Sequence, residues 1–309
     1  MSVYIHNCST ISVLDSFEQG ILNALDSNSR KLIEPEYRQF IPPALLRRMS
    51  KVIRLGVTPG LKMPESNHVK GIIVGTGVGC FDNSIQFSKK YIHGQEGLLS
   101  PTDFIQSTDN TIAGQLGLIL KNNGYNITWT HKGIAFENAL IDAMLLCNEE
   151  NCTVLVGGVD EHISLFELEH STHDKWTGEG SSFFILGTQR TNARAKIEAC
   201  ETLAIDNNIE NTVNLFLESN KLNKPEIILY GNSFLSATEI PVSVMGINVF
   251  NYSAVCGLYL TNPAFAVHLA TDIISNQQEA AKHNFTANSI LVVNNFNDTD
   301  CGFIYLSKP

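Results

Sequence analysis

The sequence lacks long apolar runs and carries little positive charge, and each absence excludes a class of protein. No apolar run reaches the ~18 consecutive residues that a membrane-spanning helix needs, so we expect no membrane association through such a span. The chain has 21 lysines and arginines against 31 aspartates and glutamates, a formal net charge of −10. Because phosphate backbones are also negative, we expect no general binding to nucleic acid.

The sequence shows neither the pattern expected of a secretory leader nor a disulfide pattern. Its first residues, MSVYIHNCSTIS, contain neither the basic nor the apolar segment of a secretory signal. Seven cysteines, an odd number without a C-x-x-C pair, are typical of a reducing compartment, so we expect a cytoplasmic protein. His170, His173 and Asp174 are the candidate metal ligands, but a site needs three or four convergent ligands. We therefore predict no metal site and no cofactor.

The 309 residues are long enough for one large domain or two fused ones, and their pattern alternates strands with helices. The predicted strands are Val3–Ile5, Val69–Val74, Ile127–Thr130, Cys152–Val156 and Ser181–Leu186, then Ala195–Ala199, Glu226–Tyr230, Ile247–Phe250, Ser289–Val293 and Gly302–Leu306. The predicted helices are Leu14–Leu25, Ala44–Leu55, Thr111–Leu120, Gly133–Cys147, Ile209–Leu217 and Ser253–Ile274. Ser233–Glu239 is a short helix or loop, and Pro59, Gly60 and Pro64 are expected to break the chain. Both halves read βαβαβαββ, which indicates an internal duplication.

The stretch from Asn126 to Glu161 is the centre of this pattern. A short strand, which we expect to be buried, leads into a sharp turn at Thr130-His131-Lys132-Gly133. The next helix is apolar on nearly every side and is therefore expected in the middle of a domain. A polar turn at Asn148–Asn151 precedes a second strand that ends in Gly157-Gly158. A strand-to-helix turn of this kind normally exposes a reactive side chain.

This stretch resembles the nucleophile region of β-ketoacyl synthases, in the thiolase superfamily. In that family a Thr-x-Cys ends a strand, the cysteine opens a buried helix, and a Gly-Gly pair closes the next strand. The segments Ser100–Phe104 and Asn110–Gln115 are similar to the family's preceding helix. The resemblance implies an α/β protein with a thiolase-like duplicated βαβαβαββ fold, five-layered with buried central helices. Its halves are expected at residues 1–189 and 190–309.

The sequence departs from this family at each catalytic position. Lys132 stands where the family has its cysteine. Gly231 and Asn232 stand where a His-Gly-Thr motif supplies the first histidine, and Asn251 or Tyr252 replaces the second. The resemblance therefore implies degenerate positions and no expected catalytic residue. It implies a non-catalytic homologue, similar to the chain-length-factor subunits that pair with a competent ketosynthase in polyketide or fatty-acid-type synthesis, with an aryl polyene pigment as one candidate product.

Two further functions stay open on the sequence. The chain is alternatively an active acyltransferase whose nucleophile is Lys132, Cys256 or an unassigned serine. It is otherwise an acyl-binding scaffold protein. A base within reach of the nucleophile distinguishes the acyltransferase from the other two.

Two surfaces are predicted to bind partners. Arg47, Arg48, Lys51 and Arg54 lie on one predicted helix, which is either a solvated face or a docking patch for an acyl carrier protein. The resemblance also implies a homodimer, or a heterodimer with a competent ketosynthase, that pairs through the strand containing Ile127, Trp129 and Thr130. Trp129 either anchors that pairing or packs within its own subunit.

Overall fold

A computed structural model gives the tertiary structure and describes residues 2–27, 29–92, 101–162, 176–205, 208–232 and 240–309. The strands are β1 (Val3–Ile11), β2 (Gly71–Thr76), β3 (Tyr125–Thr130), β4 (Val154–Asp160), β5 (Gly180–Gly187), β6 (Ala195–Ala204), β7 (Ile227–Asn232), β8 (Ser243–Val244), β9 (Ile247–Asn251), β10 (Ser289–Asn295) and β11 (Asp300–Ser307). The helices are α1 (Ser16–Gln19), α2 (Ile21–Ala24), α3 (Pro43–Leu46), α4 (Lys51–Lys62), α5 (Phe81–Ile92), α6 (Pro101–Gln106), α7 (Thr111–Leu120), α8 (Ala135–Glu150), α9 (Ile209–Ser219), α10 (Tyr252–Cys256), α11 (Pro263–Ser275) and α12 (Gln277–Lys282).

The strand order shows the duplication directly. The strands follow one another as β3-β2-β4-β5-β1-β6-β11-β10-β7-β9-β8. Read outward from the middle, β1-β5-β4-β2-β3 on one side corresponds to β6-β11-β10-β7-β9 on the other. The two halves meet where residues 3–5 of β1 pair antiparallel with residues 195–197 of β6. The connection from β5 to β6 contains the division between residues 189 and 190, which we retain as a proposal.

The apolar core forms layers around the two halves of the sheet. Helices α8 and α11 pack together against strands of both halves. Helices α4 and α7 cover the outer face of the first half, and α9 covers the outer face of the second. These five layers confirm the predicted thiolase-like α/β fold with buried central helices. Every residue of α11 from Pro263 to Ile274 is buried, as a helix apolar on all sides requires. None of the helices within the described residues is long and apolar enough to cross a membrane.

Helix α4 corrects two predictions. The helix predicted at Ala44–Leu55 is interrupted, because α3 ends at Leu46 and α4 begins at Lys51. Pro59 was expected to break the chain but lies inside α4. A proline removes the N–H that would bond the carbonyl four residues earlier, here that of Leu55. The Ser181 hydroxyl donates to this carbonyl oxygen at 2.7 Å, so the buried acceptor stays satisfied.

Glycines and asparagines account for the other errors in helix length. The helix predicted at Leu14–Leu25 is split into α1 and α2 at Gly20, whose φ of 82° is left-handed. The one predicted from Ser253 is likewise split into α10 and α11, with a left-handed Gly257 ending α10. Conversely, α8 runs through most of the predicted turn and ends at Glu150, where Asn151, left-handed with φ 48°, caps it. The segment 233–239 and the candidate metal ligands at 170, 173 and 174 lie outside the described residues.

Candidate functional site

Lys132 occupies a strained turn between β3 and α8. Its φ of 49° is left-handed, and its backbone N–H donates to the carbonyl oxygen of Gly77 at 3.0 Å. A short 3₁₀ turn at Lys132–Ile134 then leads into α8. The side chain of Lys132 is exposed, so water solvates its amine. A lysine nucleophile needs a desolvated amine, so this position does not favour the alternative acyltransferase.

Aromatic rings lie against two glycines of this site, one in the turn and one at the end of β7. The Phe296 ring lies against Gly133, where even a methyl group would overlap it. The Tyr252 ring lies against Gly231 in the same way, and Tyr252 is fully buried. The fold therefore brings together two of the degenerate positions predicted from the sequence, Gly231 and Tyr252. No room for a substrate atom exists between either glycine and its ring.

The two predicted asparagines have structural roles. Asn251 caps α10, because its side-chain oxygen accepts the backbone N–H of Ala254 at 3.1 Å. The backbone of Asn232 is tied to Ser253, whose hydroxyl oxygen lies 3.2 Å from the Asn232 N–H and 3.3 Å from its carbonyl oxygen. These contacts hold the end of β7 against the start of α10. They fix the positions of Gly231 and Tyr252 relative to each other.

Glu137 is the residue of this site that sequence reasoning missed. It lies on α8 and is fully buried. Asn294 on β10 donates its side-chain N–H groups to Glu137 Oε1 at 2.8 Å and to the Gly133 carbonyl oxygen at 2.7 Å. Within the described residues, Glu137 Oε2 has no hydrogen-bond partner. A charged residue inside the apolar run of a buried helix was the sequence signal that could have revealed it.

The carboxyl group of Glu137 fits into a gap in the sheet. On the neighbouring strands, Asn294 pairs with Gly231 of β7 and with Gly302 of β11. Asn294 therefore lies between two glycines in a row that crosses three strands. A side chain at Gly302 would overlap the Glu137 carboxyl. Burial raises the pKa of Glu137 to about 7, although the hydrogen bond from Asn294 lowers it. This carboxyl is therefore a buried group that ionises near neutral pH.

Cys256 does not fit the role of a surrogate nucleophile. It is fully buried at the end of α10, and its thiol donates to the carbonyl oxygen of Gly257 at 3.5 Å. Burial raises the pKa of the Cys256 thiol well above its ordinary value. Since the thiolate is the nucleophile, this sulfur remains in its unreactive form at neutral pH.

The predicted basic helix is divided by the structure. Lys51 forms a 2.5 Å ion pair with Glu179, and Arg54 lies 3.5 Å from a carboxylate oxygen of Glu34. Arg47 and Arg48 lie in the connection between α3 and α4 and are exposed. The prediction that one helix carries all four cations is therefore wrong, since only the latter two project as an exposed pair.

Strand β3 lies at one end of the sheet, which corrects the expectation that it is buried. None of its residues is buried, and it pairs with β2 along one edge. Ile127 is half-buried, whereas Trp129 and Thr130 are exposed. The indole N–H of Trp129 donates to Asp142 on α8 at 3.0 Å. The two helices that contact this strand each carry an exposed leucine, Leu118 on α7 and Leu145 on α8.

Comparison with known proteins agrees with this architecture. Solved structures similar to the chain include a type II PKS acyl-carrier protein in complex with its ketosynthase, at TM-score 0.77 and 14% identity, covering 100% of this chain and 99% of that one. The ishigamide ketosynthase/chain length factor matches at TM-score 0.74 and 14% identity, with coverage of 100% and 99%. A ketosynthase in complex with its chain length factor from Xenorhabdus doucetiae matches at TM-score 0.59 and 16% identity, with coverage of 99% and 99%.

A family model identifies the chain more directly than these fold similarities. No curated protein sequence matches it. The model described as "Beta-ketoacyl synthase, N-terminal domain" matches residues 23–177, which is 155 of the 309 residues. This match contains β2, the turn at Lys132, α8 and β4. The chain therefore belongs to the β-ketoacyl synthase family.

Proposed function

We propose that this chain is a non-catalytic β-ketoacyl synthase homologue that acts as the chain-length-factor-like partner of a competent ketosynthase. The pathway is polyketide or fatty-acid-type synthesis, with an aryl polyene pigment as one candidate product. The observation that carries the proposal is the filled site: Tyr252 packs on Gly231 and Phe296 packs on Gly133, beside a lysine where the family has cysteine.

The chemistry of the site supports the proposal that this chain does not catalyse the condensation reaction of a ketosynthase. A cysteine at a helix N-terminus is activated because the helix dipole stabilises its thiolate. An ammonium group at the same end of a helix gains nothing from the dipole, and Lys132 extends into solvent. In the family, two histidines act at these positions. Here the positions are occupied by the Tyr252 ring, by Gly231 and by asparagines that have structural roles, so none of these residues offers a base.

The edge of β3 supports the partnership. An exposed strand edge with apolar neighbours is normally paired or covered. We propose that β3 of this chain pairs with the corresponding strand of the ketosynthase, as a continuation of the sheet. Trp129 and Leu145 provide the apolar contact area on the α8 side of this edge. The similar structures that contain a ketosynthase with its chain length factor are consistent with such a pair.

The exposed arginines support a second contact. Within the described residues, no carboxylate forms an ion pair with Arg47 or Arg48, whereas Lys51 and Arg54 each have one. We propose that they contact an acidic acyl carrier protein as it delivers its cargo to the pair. Exposed charges of this kind increase the association rate more than they increase the affinity.

Co-expression with the ketosynthase encoded nearest to it tests the proposal. We expect light scattering to report a heterodimer. We expect Trp129→Ala to raise the dissociation constant of this heterodimer at least tenfold. Leu215→Ala is the matched control, because Leu215 is an exposed apolar residue on α9. A chain that stays monomeric with every ketosynthase tried, or a heterodimer equally stable with both variants, would refute the assignment.

A further inference from the structure

A second polar cluster lies between β1, β6 and α11. Arg194 contacts Cys8 and Asp272 at once: one guanidinium nitrogen lies 2.8 Å from the Cys8 sulfur, and the other lies 2.6 Å from Asp272 Oδ1. His268 Nε2 lies 3.3 Å from the same carboxylate oxygen. The ligand atoms of Cys8, His268 and Asp272 all lie within 4.8 Å of one another. Since the guanidinium already occupies this space as a cation, the arrangement does not favour a metal ion.

The hydrogen bonds indicate that His268 is a cation. The Thr10 hydroxyl donates its single hydrogen to Ser182 at 2.7 Å, so its oxygen accepts from His268 Nδ1, also at 2.7 Å. The other ring nitrogen faces the Asp272 carboxylate, which can only accept. Burial lowers the pKa of His268, but the nearby Cys8 and Asp272 outweigh burial and raise the pKa to about 10.

Two cationic side chains, Arg194 and His268, lie at the sulfur of Cys8. Arg194 and His268 are two cations, and Asp272 is the single carboxylate between them. The Cys8 sulfur accepts an N–H from the Arg194 guanidinium, and cations that contact a cysteine sulfur are a general feature of reactive cysteines. The remaining charged residues that line the adjacent cavity are Glu18, Lys62 and Glu279.

The cluster opens into a polar cavity that a small molecule can enter. Its volume is about 300 Å³, and Cys8 lines it while remaining partly exposed. Ser9 lines the same cavity and is 5% exposed. Its hydroxyl has no hydrogen-bond partner in the part of the chain that the structure describes.

We propose that Cys8 is the reactive thiol of this chain and a site of modification by small peroxides. The thiolate sulfur attacks one peroxide oxygen, so that an S–O bond forms and the O–O bond breaks. The sulfur loses two electrons and becomes a sulfenic acid, while the other peroxide oxygen leaves with the electron pair of the O–O bond as hydroxide or alkoxide and takes one proton from the buffered solvent to become water or an alcohol. This inference does not depend on whether the chain pairs with a ketosynthase.

Alkylation of the native full-length chain tests the reactivity. With limiting iodoacetamide at neutral pH and mass spectrometry of each cysteine peptide, we expect Cys8 to be labelled at least tenfold faster than Cys152. Cys152 is the internal control, because it is also partly exposed but burial raises the pKa of its thiol. After hydrogen peroxide treatment, dimedone is expected to label Cys8. Equal labelling of the two cysteines, or dimedone on other cysteines alone, would overturn the proposal.

Variants of Arg194 test the cause. Arg194→Gln removes the charge and is expected to slow Cys8 labelling at least tenfold, while Arg194→Lys restores part of the rate. The rate at Cys152 reports whether the fold is intact and should not change. If Cys8 labels equally fast in Arg194→Gln, the guanidinium does not activate it and the proposal fails. If this variant does not fold, the comparison of Cys8 with Cys152 in the unmodified chain still decides.

Discussion

Replacing Glu137 by glutamine is expected to make the protein more resistant to alkaline pH. The carboxyl is fully buried on α8, one of its oxygens accepts from Asn294, and the other has no partner within the described residues. Glutamine has the same shape and can still accept from Asn294, but it cannot ionise. The substitution therefore removes the ionisation and keeps the packing.

The magnitude follows from the pKa of Glu137. Burial raises this pKa from 4.5 to about 7, so the folded protein holds the proton more tightly than the unfolded chain. The stability that this proton contributes is fully present below pH 4.5 and is lost as the pH rises through 7. The lost free energy of unfolding reaches about 3 kcal/mol at pH 8 and above. At pH 5 the free energy of unfolding of Glu137→Gln should thus lie within about 1 kcal/mol of that of the unmodified chain. At pH 8 the variant should be about 3 kcal/mol more stable than the unmodified chain.

Thermal unfolding at both pH values measures this difference. For a chain of this size, we expect a melting temperature about 5 °C higher for Glu137→Gln at pH 8 and little change at pH 5. Glu149→Gln is the matched control, because Glu149 is an exposed carboxyl of the same helix. If Glu137→Gln shifts the melting temperature equally at both pH values, or not at all, the carboxyl does not ionise near neutral pH in the folded protein.

Two further predictions concern the acyl carrier protein. Reversing Arg47 and Arg48 to glutamate is expected to weaken carrier binding at least tenfold at low salt, and the loss should shrink as salt screens the charges. Lys221→Glu, an exposed reversal elsewhere, is the control, and equal affinity of both variants in calorimetry would leave the arginines as a solvated surface. Incubation with acyl-carrier substrate should give no covalent acyl adduct by mass spectrometry. An adduct on Lys132 or Cys256 would instead support the active acyltransferase.

The sequence alone determined the order of the main strands and helices, and its motifs resembled the family, but it did not predict α5, α6, α12 or β8. Hydrophobic periodicity is local, so it revealed the alternation of strands and helices in both halves and the burial of α8 and α11. The substitutions at Lys132, Gly231 and Tyr252 were also visible, because a motif is read from neighbouring residues. What the sequence could not show is that Tyr252 lies on Gly231, since that contact joins the ends of different elements.

The tertiary structure decided the features that depend on distant partners. Pro59 is tolerated inside α4 because Ser181, 126 positions from Leu55, satisfies the freed carbonyl. The strand β3 was expected to be buried, but its exposure follows from its place at the end of the sheet, which composition does not specify. The environments of Glu137 and Cys8 are likewise assembled from strands and helices far apart in the chain. Burial and hydrogen bonding set the chemistry of a titratable side chain, and both become defined only when those elements have packed.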